Sequence, residues 1–229
     1  MTLRLDKGAV MAARRALVVG ASRGLGLVLV TELDRRGWEV IATTRSGSVP
    51  LEGMRTEQLE MTDEAQIAAL RDRVDGPLDL LFVNAAIDRG NLPINEVPVE
   101  MFTEVMITNA LGPLRVLEGL DDLVAPGGTV AVMSSEQGSV SRNVEPGYEL
   151  YKASKAALNQ LMRSYATRHE SDGRTKLLID PGHNRTRLGG PDAPLLPEES
   201  IPAVVDVLEA RAGELGLQFL DRFGEPVPW

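Results

Sequence analysis

The sequence predicts a single α/β domain in which a doubly wound, seven-stranded parallel sheet has helices on both faces. Short apolar runs rich in β-branched residues alternate along the 229-residue chain with segments whose apolar residues recur at helical spacing. No shift in composition marks a linker between two domains. We therefore expect residues 1–14 to form an N-terminal arm and residues 15–229 to form one domain. Ligands should bind along one edge of the sheet, at the carboxyl ends of its strands.

The predicted elements follow from periodicity and from turn residues. Strands are expected at residues 16–19, 38–43, 58–61, 78–83, 129–133, 176–179 and 217–220. Thr62 is the predicted N-cap of the second helix, and a long helix should run from Val99 to about Val124. Asn109 lies in its middle, where an asparagine is usually exposed or bonded to its own backbone. Further helices are expected from residue 25, around residues 151–169 and over 202–212, with a flexible Gly- and Pro-rich segment at 184–197.

A glycine-rich loop joins the first strand to the first helix. It reads Gly20-Ala21-Ser22-Arg23-Gly24-Leu25-Gly26. Glycines let backbone N–H groups approach a diphosphate, and a helix N-terminus favours its negative charge. The spacing differs from the commoner Gly-x-Gly-x-x-Gly, and a plain tight turn is the alternative. The flanking strand and helix favour a dinucleotide-binding loop of the Rossmann type.

Arginine stands where an acidic residue would bind the adenosine ribose of NAD. Arg45 follows the second strand, and Arg23 lies in the glycine loop. Two guanidinium groups suit the additional 2′-phosphate of NADP. The alternative is that both are ordinary surface arginines. Their placement favours NADP(H) over NAD(H).

A tyrosine and a lysine share one face of the helix predicted around residue 151. Tyr151 and Lys155 are one helical turn apart, so the ammonium group should lie near the phenol and lower its pKa. Such a tyrosine could give or take a proton near neutral pH. Tyr148 and Lys152 have the same spacing, and a solvated helix face would also give this pattern.

Composition excludes several other classes of site. The net charge of −9 argues against a nonspecific nucleic-acid binder. There is no cysteine, and only His169 and His183 could supply imidazole, so we expect no metal centre. No apolar run is long enough to span a bilayer, and the first residues lack the apolar block of a signal peptide. We expect a cytoplasmic protein without membrane partners.

Taken in order, the motifs resemble those of the short-chain dehydrogenase/reductase family. The matching positions are the glycine loop, Val83-Asn84-Ala85-Ala86, Asn109, Ser135, the pair Tyr151 and Lys155, and Pro181-Gly182 with Thr186. The resemblance covers roughly residues 15–229 and is closest to the C-factor/sniffer-like carbonyl reductases. It departs from the family at Val83 and Ala86, which replace Asn and Gly, and at Glu60, which replaces the usual Asp.

The resemblance implies a role for each residue. Tyr151 would donate the proton to a substrate carbonyl, Lys155 would bind the nicotinamide ribose, and Ser135 would hydrogen-bond the carbonyl oxygen. Asn109 would hold a water in the proton relay. Ser134 is a rival for Ser135. The residues implied to bind NADP(H) are Gly20, Ser22, Arg23, Gly24, Leu25, Gly26, Arg45, Glu60, Met61, Asn84, Ala85, Ala86, Tyr151, Lys155, Pro181, Gly182 and Thr186.

The implied function is NADPH-dependent reduction of a small-molecule aldehyde or ketone. An NAD-linked alcohol dehydrogenase, a β-ketoacyl or sugar reductase of the same family, and a non-catalytic NADP-sensing signalling protein are alternatives. The resemblance also implies a homodimer or homotetramer, paired through the long helices around Asn109 and Tyr151.

Overall fold

Parallel strands form one sheet in the computed structural model, which describes residues 13–229. The predicted N-terminal arm therefore lies almost entirely outside the described residues. The strands are β1 (Arg15–Val19), β2 (Glu39–Thr44), β3 (Arg55–Gln58), β4 (Leu78–Val83), β5 (Val124–Met133), β6 (Thr175–Asp180) and β7 (Gly216–Asp221). Their order in the sheet is β3-β2-β1-β4-β5-β6-β7. The predicted seven-stranded, doubly wound sheet is confirmed.

Helices cover both faces of this sheet. They are α1 (Gly24–Arg35), α2 (Glu64–Arg71), α3 (Val99–Met106), α4 (Gly112–Leu120), α5 (Glu149–Arg168) and α6 (Pro197–Ala210). Alternate residues of each strand enter two separate cores, because successive side chains of a strand point to opposite faces of the sheet. On β1, Leu17 packs towards α2, α4 and α5, whereas Val18 packs towards α1 and α6. Burial on both faces explains why the strands read as continuous apolar runs.

The third strand lies three residues earlier than predicted. Residues Arg55–Gln58 pair with Ile41–Thr44 of β2, although they include charged and polar side chains. The apolar Leu59 and Met61, which suggested the strand, instead enter the core from the segment that follows it. An edge strand needs few apolar residues, so its hydrophobic pattern is weak.

The next helix has a different cap from the predicted one. Asp63 accepts hydrogen bonds from the N–H groups of Ala65 and Gln66, which makes it the N-cap of α2. Thr62 turns away and donates its hydroxyl proton to Glu60. Aspartate at this position also favours the positive end of the helix dipole.

The predicted long helix from Val99 to Val124 is interrupted and ends earlier. A π-helical turn, Ile107–Leu111, separates α3 from α4, and the helix ends at Leu120. Strand β5 consequently begins at Val124 rather than at residue 129, with an irregular register opposite Leu78. Helix α6 begins at Pro197, five residues before its predicted start, and Pro is favourable in a first helical turn.

Residues 184–195 follow an irregular path, but hydrogen bonds hold them in place. Arg185 donates from its N–H to Leu195 O at 2.8 Å and from Nε to Ala193 O at 2.7 Å. The ring of His183 contacts Gly189 O at 2.7 Å through Nε2. The segment predicted to be flexible therefore has a defined shape beside the end of β6. Among residues 13–229, no helix is both long and apolar enough to cross a membrane.

Candidate active site

The site forms where the chain changes direction across the sheet. Strands β1 and β4 are neighbours, although α1, β2, β3 and α2 lie between them in sequence. Their carboxyl ends are joined directly, because Asn84 Nδ2 donates to Gly20 O at 2.8 Å. Helices leave the two strands towards opposite faces, and a crevice opens between them. Such a switch point is where parallel α/β sheets bind their ligands.

The glycine loop packs against β4 with no room for side chains at two positions. A Cβ atom on Gly26 would lie 2.0 Å from Gly20 O and 2.5 Å from Asn84 Nδ2. Gly20 has a φ of +91°, and a Cβ there would lie 2.7 Å from the Cβ of Ala85. These glycines bring the start of α1 against the ends of β1 and β4.

The loop has the features that a dinucleotide requires. Helix α1 has no side-chain cap and no acidic residue in its first turn, so its first N–H groups are available to a phosphate. Across the crevice, Thr186 lies so near Gly24 that a Cβ added there would be 3.3 Å from Thr186 Cγ2. The other predicted residues of these motifs are partly or fully exposed at the same edge: Ser22, Leu25, Ala85 and Ala86.

Three predicted nucleotide-binding residues lie just beyond strand ends. Arg45 follows β2, and Glu60 and Met61 follow β3. Arg23 and Arg45 are both exposed, and neither forms an ion pair with any residue of the described range 13–229. Glu60 accepts a hydrogen bond from Thr62, whereas Met61 is buried. Within residues 13–229, both guanidinium groups are therefore without an ion-pair partner.

The carboxyl end of β6 forms the other side of the crevice. Pro181 is buried, and its carbonyl accepts a hydrogen bond from Asn184 Nδ2 at 2.9 Å. Gly182 has a φ of +74°, and a Cβ there would lie 2.9 Å from Leu195 Cδ1. A side chain at this position would therefore push against the hydrogen-bonded segment that follows.

Tyr151 and Lys155 come together on the first turns of α5. Lys155 Nζ lies 5.8 Å from the centre of the Tyr151 ring and donates to Met133 O at 2.8 Å. The lysine is almost completely buried, and within residues 13–229 its ammonium group donates only to the end of β5. The side chain of Ser135, two residues further along the chain from Met133, is near enough to the Tyr151 phenol to lower its pKa.

The two candidate serines have different surroundings. Ser134 is buried and donates its hydroxyl proton to Asn159 Oδ1 at 2.6 Å. Ser135 accepts from Gln137 N at 3.2 Å, which leaves its own proton available to a ligand. Only Ser135 is placed against Tyr151, so the geometry separates two serines that the sequence alone did not.

The rival pair Tyr148 and Lys152 does not reach this cluster. Lys152 Nζ donates to Asn143 Oδ1 at 2.9 Å and to Glu145 O at 2.6 Å, on the outer side of the loop before α5. Tyr148 is 44% exposed and has a φ of +51° just before the helix begins. Its left-handed backbone is held by Asn91, whose Oδ1 accepts from Tyr148 N at 2.7 Å.

Burial shifts the pKa values of Tyr151 and Lys155 in directions that their helical spacing did not predict. Burial raises the pKa of the Tyr151 phenol, and the charges of Asp88 and Asp180 raise it further, whereas the contact with Ser135 lowers it. The prediction that Lys155 lowers this pKa is therefore wrong for the protein by itself. Burial also lowers the pKa of Lys155 to about 8, against an opposing effect of Asp180. Both groups are shifted towards their neutral forms because a low-dielectric site disfavours charge.

Asn109 is neither exposed nor bonded to its own helix, contrary to the expectation for a mid-helix asparagine. It is completely buried in the π-helical turn. Its Oδ1 accepts from Ile87 N at 2.8 Å, and its Nδ2 donates to Ile87 O at 2.7 Å and to Ser154 Oγ at 3.0 Å. Ser154 in turn donates to Tyr151 O at 2.7 Å. The amide therefore joins the loop after β4 to the turn of α5 that carries Tyr151.

Sequence reasoning missed three residues of this site. Asp88 follows the segment held by Asn109, Asp180 ends β6, and Ser154 links Asn109 to α5. Asp180 lies at the end of a predicted strand, and this position could have identified it as a residue of the site. Nothing in the sequence pattern indicated that Asp88 would act on the Tyr151 phenol or that Ser154 would bind Asn109.

Comparisons with known proteins agree with this geometry. The family model for short chain dehydrogenases matches residues 14–193. C-signal of Myxococcus xanthus is 34% identical over 67% of this chain and 94% of its own length. A short-chain dehydrogenase/reductase from Burkholderia multivorans, solved with bound NADP, is 46% identical with a TM-score of 0.91, over 95% of this chain and 100% of that one. A carbonyl reductase from Pseudomonas aeruginosa in complex with NADP is 33% identical with a TM-score of 0.87, over the same shares.

Replacing Lys155 with Met should change the pH dependence of stability. The pKa of Lys155 falls from 10.5 to about 8 on folding, so the folded protein loses this proton at lower pH than the unfolded chain. The stability of the wild type relative to Lys155→Met should be lowest below about pH 8 and rise by roughly 2–4 kcal/mol towards pH 10.5. Urea unfolding of both proteins without nucleotide, across this pH range, measures the difference. A difference that does not vary with pH would contradict the lowered pKa.

Proposed function

The chain belongs to the short-chain dehydrogenase family as an NADP-dependent oxidoreductase, and on that premise we propose that it reduces an aldehyde or ketone to an alcohol. The observation that carries this proposal is the meeting of Ser135, Tyr151 and Lys155 beside the glycine loop. A proton donor, a hydrogen-bond donor and a cation thus lie at one end of a crevice that fits a dinucleotide.

NADPH, when bound, supplies the hydride that the carbonyl carbon accepts. The protein's part is to deliver a proton to the carbonyl oxygen and to stabilise the charge that develops there. The Tyr151 O–H bond breaks as its proton moves to that oxygen. Because burial raises the pKa of Tyr151, the phenol is protonated at neutral pH and ready to donate. An alkoxide is a stronger base than a phenolate, so the transfer remains favourable.

Ser135 and Lys155 assist this proton transfer. The free proton of Ser135 would hydrogen-bond the carbonyl oxygen, an arrangement that stabilises the developing negative charge. The ammonium group of Lys155 would bind the ribose hydroxyls of the cofactor and stabilise the Tyr151 phenolate after the proton has left.

Asn109 would act through its main chain rather than its amide. All three side-chain hydrogen bonds are used within the protein. The π-helical turn departs from regular helical hydrogen bonding at this residue, and such turns are frequent at functional sites. We therefore assign the water of the proton relay to the main-chain carbonyl of Asn109. This water would pass protons towards Lys155.

The cofactor would lie along the predicted residues. The N–H groups at the start of α1, with Gly24, would hold the diphosphate, and Thr186 would contact it or the carboxamide from the opposite side. Arg23 and Arg45 would bind the 2′-phosphate, which favours NADPH over NADH. Glu60 and the main chain of Met61 would face the adenine, since the Met61 side chain is buried in the core.

Other reactions of the family are weaker candidates. An NAD-linked dehydrogenase would not need two free arginines at the ribose. A sensor without turnover would not need Ser135, Tyr151 and Lys155 to converge. Oxidation of NADPH with a panel of aldehydes, ketones and quinones distinguishes these functions, because a sensor binds NADPH tightly and oxidises none.

Tyr151→Phe should lower kcat by at least about 100-fold, since the proton donor is lost. Binding of NADPH, measured by fluorescence, should remain within about threefold because the ring is retained. Tyr148→Phe is the matched control, and it should keep near-normal turnover. Normal turnover by Tyr151→Phe would overturn the assignment of the proton donor.

Arg23→Ala combined with Arg45→Ala should weaken NADPH binding by roughly 10- to 100-fold and leave NADH binding nearly unchanged. The measured quantity is the ratio of kcat/KM for the two coenzymes. Arg71→Ala combined with Arg168→Ala, in the last turns of α2 and α5, also removes two positive charges and should not change the ratio. An unchanged ratio in the double variant would refute the 2′-phosphate site.

We also infer a homodimer formed through α3, α4 and α5. Phe102, Ile107, Leu111 and Leu161 are 36–41% exposed on these helices, which pack beside one another. An exposed apolar surface of this kind is typical of a protein interface.

Light scattering should therefore give at least twice the monomer mass of 24.8 kDa. Leu111→Lys should shift the protein towards the monomer, because it places a charge in the interface. Leu215→Lys, at another exposed leucine, should not. A monomeric wild type at assay concentration would exclude the dimer.

A further inference from the structure

Asp88 has a fixed position at the mouth of the crevice. It follows Ile87, whose N–H and carbonyl are both held by the buried amide of Asn109. The next turn is held as well, because Gly90 N donates to Asp88 Oδ1 at 3.2 Å. The carboxylate is partly buried, and its charge acts on the phenol of Tyr151. The Asn109 amide also donates to Ser154, which donates to Tyr151 O, so Asp88 lies beside the turn of α5 that carries Tyr151.

The charge of Asp88 is not balanced by a neighbouring cation. The ammonium group of Lys155 donates to Met133 O and is influenced by Asp180 rather than by Asp88. Arg89 is adjacent to Asp88 but is bound by both oxygens of Glu104. Within residues 13–229, Asp88 has no ion-pair partner.

Two cations near the loop before α5 are also engaged. Lys152 binds Asn143 and Glu145, and Arg142 pairs with Glu136 at 3.1 Å. Neither Lys152 nor Arg142 forms a hydrogen bond with Asp88. The part of a substrate that lies beside Asp88 would therefore meet a carboxylate that has no ion-pair partner within residues 13–229.

We propose that Asp88 is a specificity-determining residue that selects neutral or cationic carbonyl compounds and excludes those with an anionic group near the carbonyl. A substrate carboxylate or phosphate would be brought towards Asp88 in a site partly shielded from water, where repulsion between like charges is strong. This proposal rests on the proposed carbonyl reduction and names the charge class of its substrate. It sets the chain apart from reductases whose substrates carry acidic groups beside the reacting carbon.

The test uses three aldehydes that differ in one substituent: 4-carboxybenzaldehyde, methyl 4-formylbenzoate and 4-(trimethylammonio)benzaldehyde. The wild type should reduce the neutral and cationic compounds with a higher kcat/KM than the anionic one. Asp88→Asn should raise the ratio of kcat/KM for the anionic over the neutral aldehyde roughly tenfold. Added salt should raise the same ratio in the wild type and have less effect in the variant.

Two further variants control this experiment. Asp72→Asn changes the net charge equally but lies at the end of α2, at the opposite edge of the sheet, and should leave the ratio unchanged. Glu104→Gln frees Arg89 beside Asp88 and should raise the ratio without altering Asp88 itself. It keeps the proposal testable if Asp88→Asn does not fold.

The proposal is overturned if both Asp88→Asn and Glu104→Gln reduce the anionic and neutral aldehydes in the wild-type ratio. If the wild type reduces none of the three aldehydes, the proposed reductase function fails instead. Binding of the three corresponding benzyl alcohols to the protein with NADP, measured by fluorescence, then decides the charge selection. Equal affinity of Asp88→Asn and wild type for the carboxylated alcohol would overturn it.

Discussion

The geometry of the site depends on the buried amide of Asn109. This one side chain holds the main chain of Ile87 after β4 and, through Ser154, the carbonyl of Tyr151 on α5. The three segments come from distant parts of the sequence, and the π-helical turn places the amide between them. A buried donor or acceptor left unpaired costs about 1–3 kcal/mol, so the arrangement is stable only when every partner is in place. The segment after β4 and the turn of α5 that carries Tyr151 are thus parts of one hydrogen-bonded unit.

Desolvation determines the protonation of the reacting groups more than their mutual contact does. Tyr151 and Lys155 lie 5.8 Å apart, measured from ring centre to Nζ, yet the pKa of each moves towards its neutral form. Burial is the largest cause for both groups. The charge of a bound nucleotide would enter this same low-dielectric region, where its effect on both groups would be large. The protonation of Tyr151 and Lys155 therefore depends on burial and on bound nucleotide more than on the Tyr-x-x-x-Lys spacing.

The sequence predicted the fold because the signals for it are repeated and local. Alternating apolar runs and helical faces recur in each βα unit, and the glycine loop depends on short-range sterics at Gly20 and Gly26. Prediction failed where a long-range contact outweighs the local pattern. Strand β3 is selected by pairing with β2, and Asn109 is buried by partners elsewhere in the chain. Ser134 and Ser135 are adjacent serines, so only their contacts in the folded protein distinguish them. The family resemblance supplied the roles of the site residues, but it contained no information about Asp88.

The order of the strands also constrains how the chain is made. Strand β1 has β2 on one side and β4 on the other, and β4 begins only at Leu78. A growing chain that has completed β3 therefore presents β1 as an unpaired sheet edge until a further helix and strand have been synthesised. Exposed edges of this kind promote aggregation in partly folded chains. Because Asn84 binds Gly20 across this same boundary, the nucleotide loop is completed only when the edge closes. The chain is accordingly most exposed to misassembly during synthesis before its ligand site exists, at a stage when nucleotide cannot stabilise it.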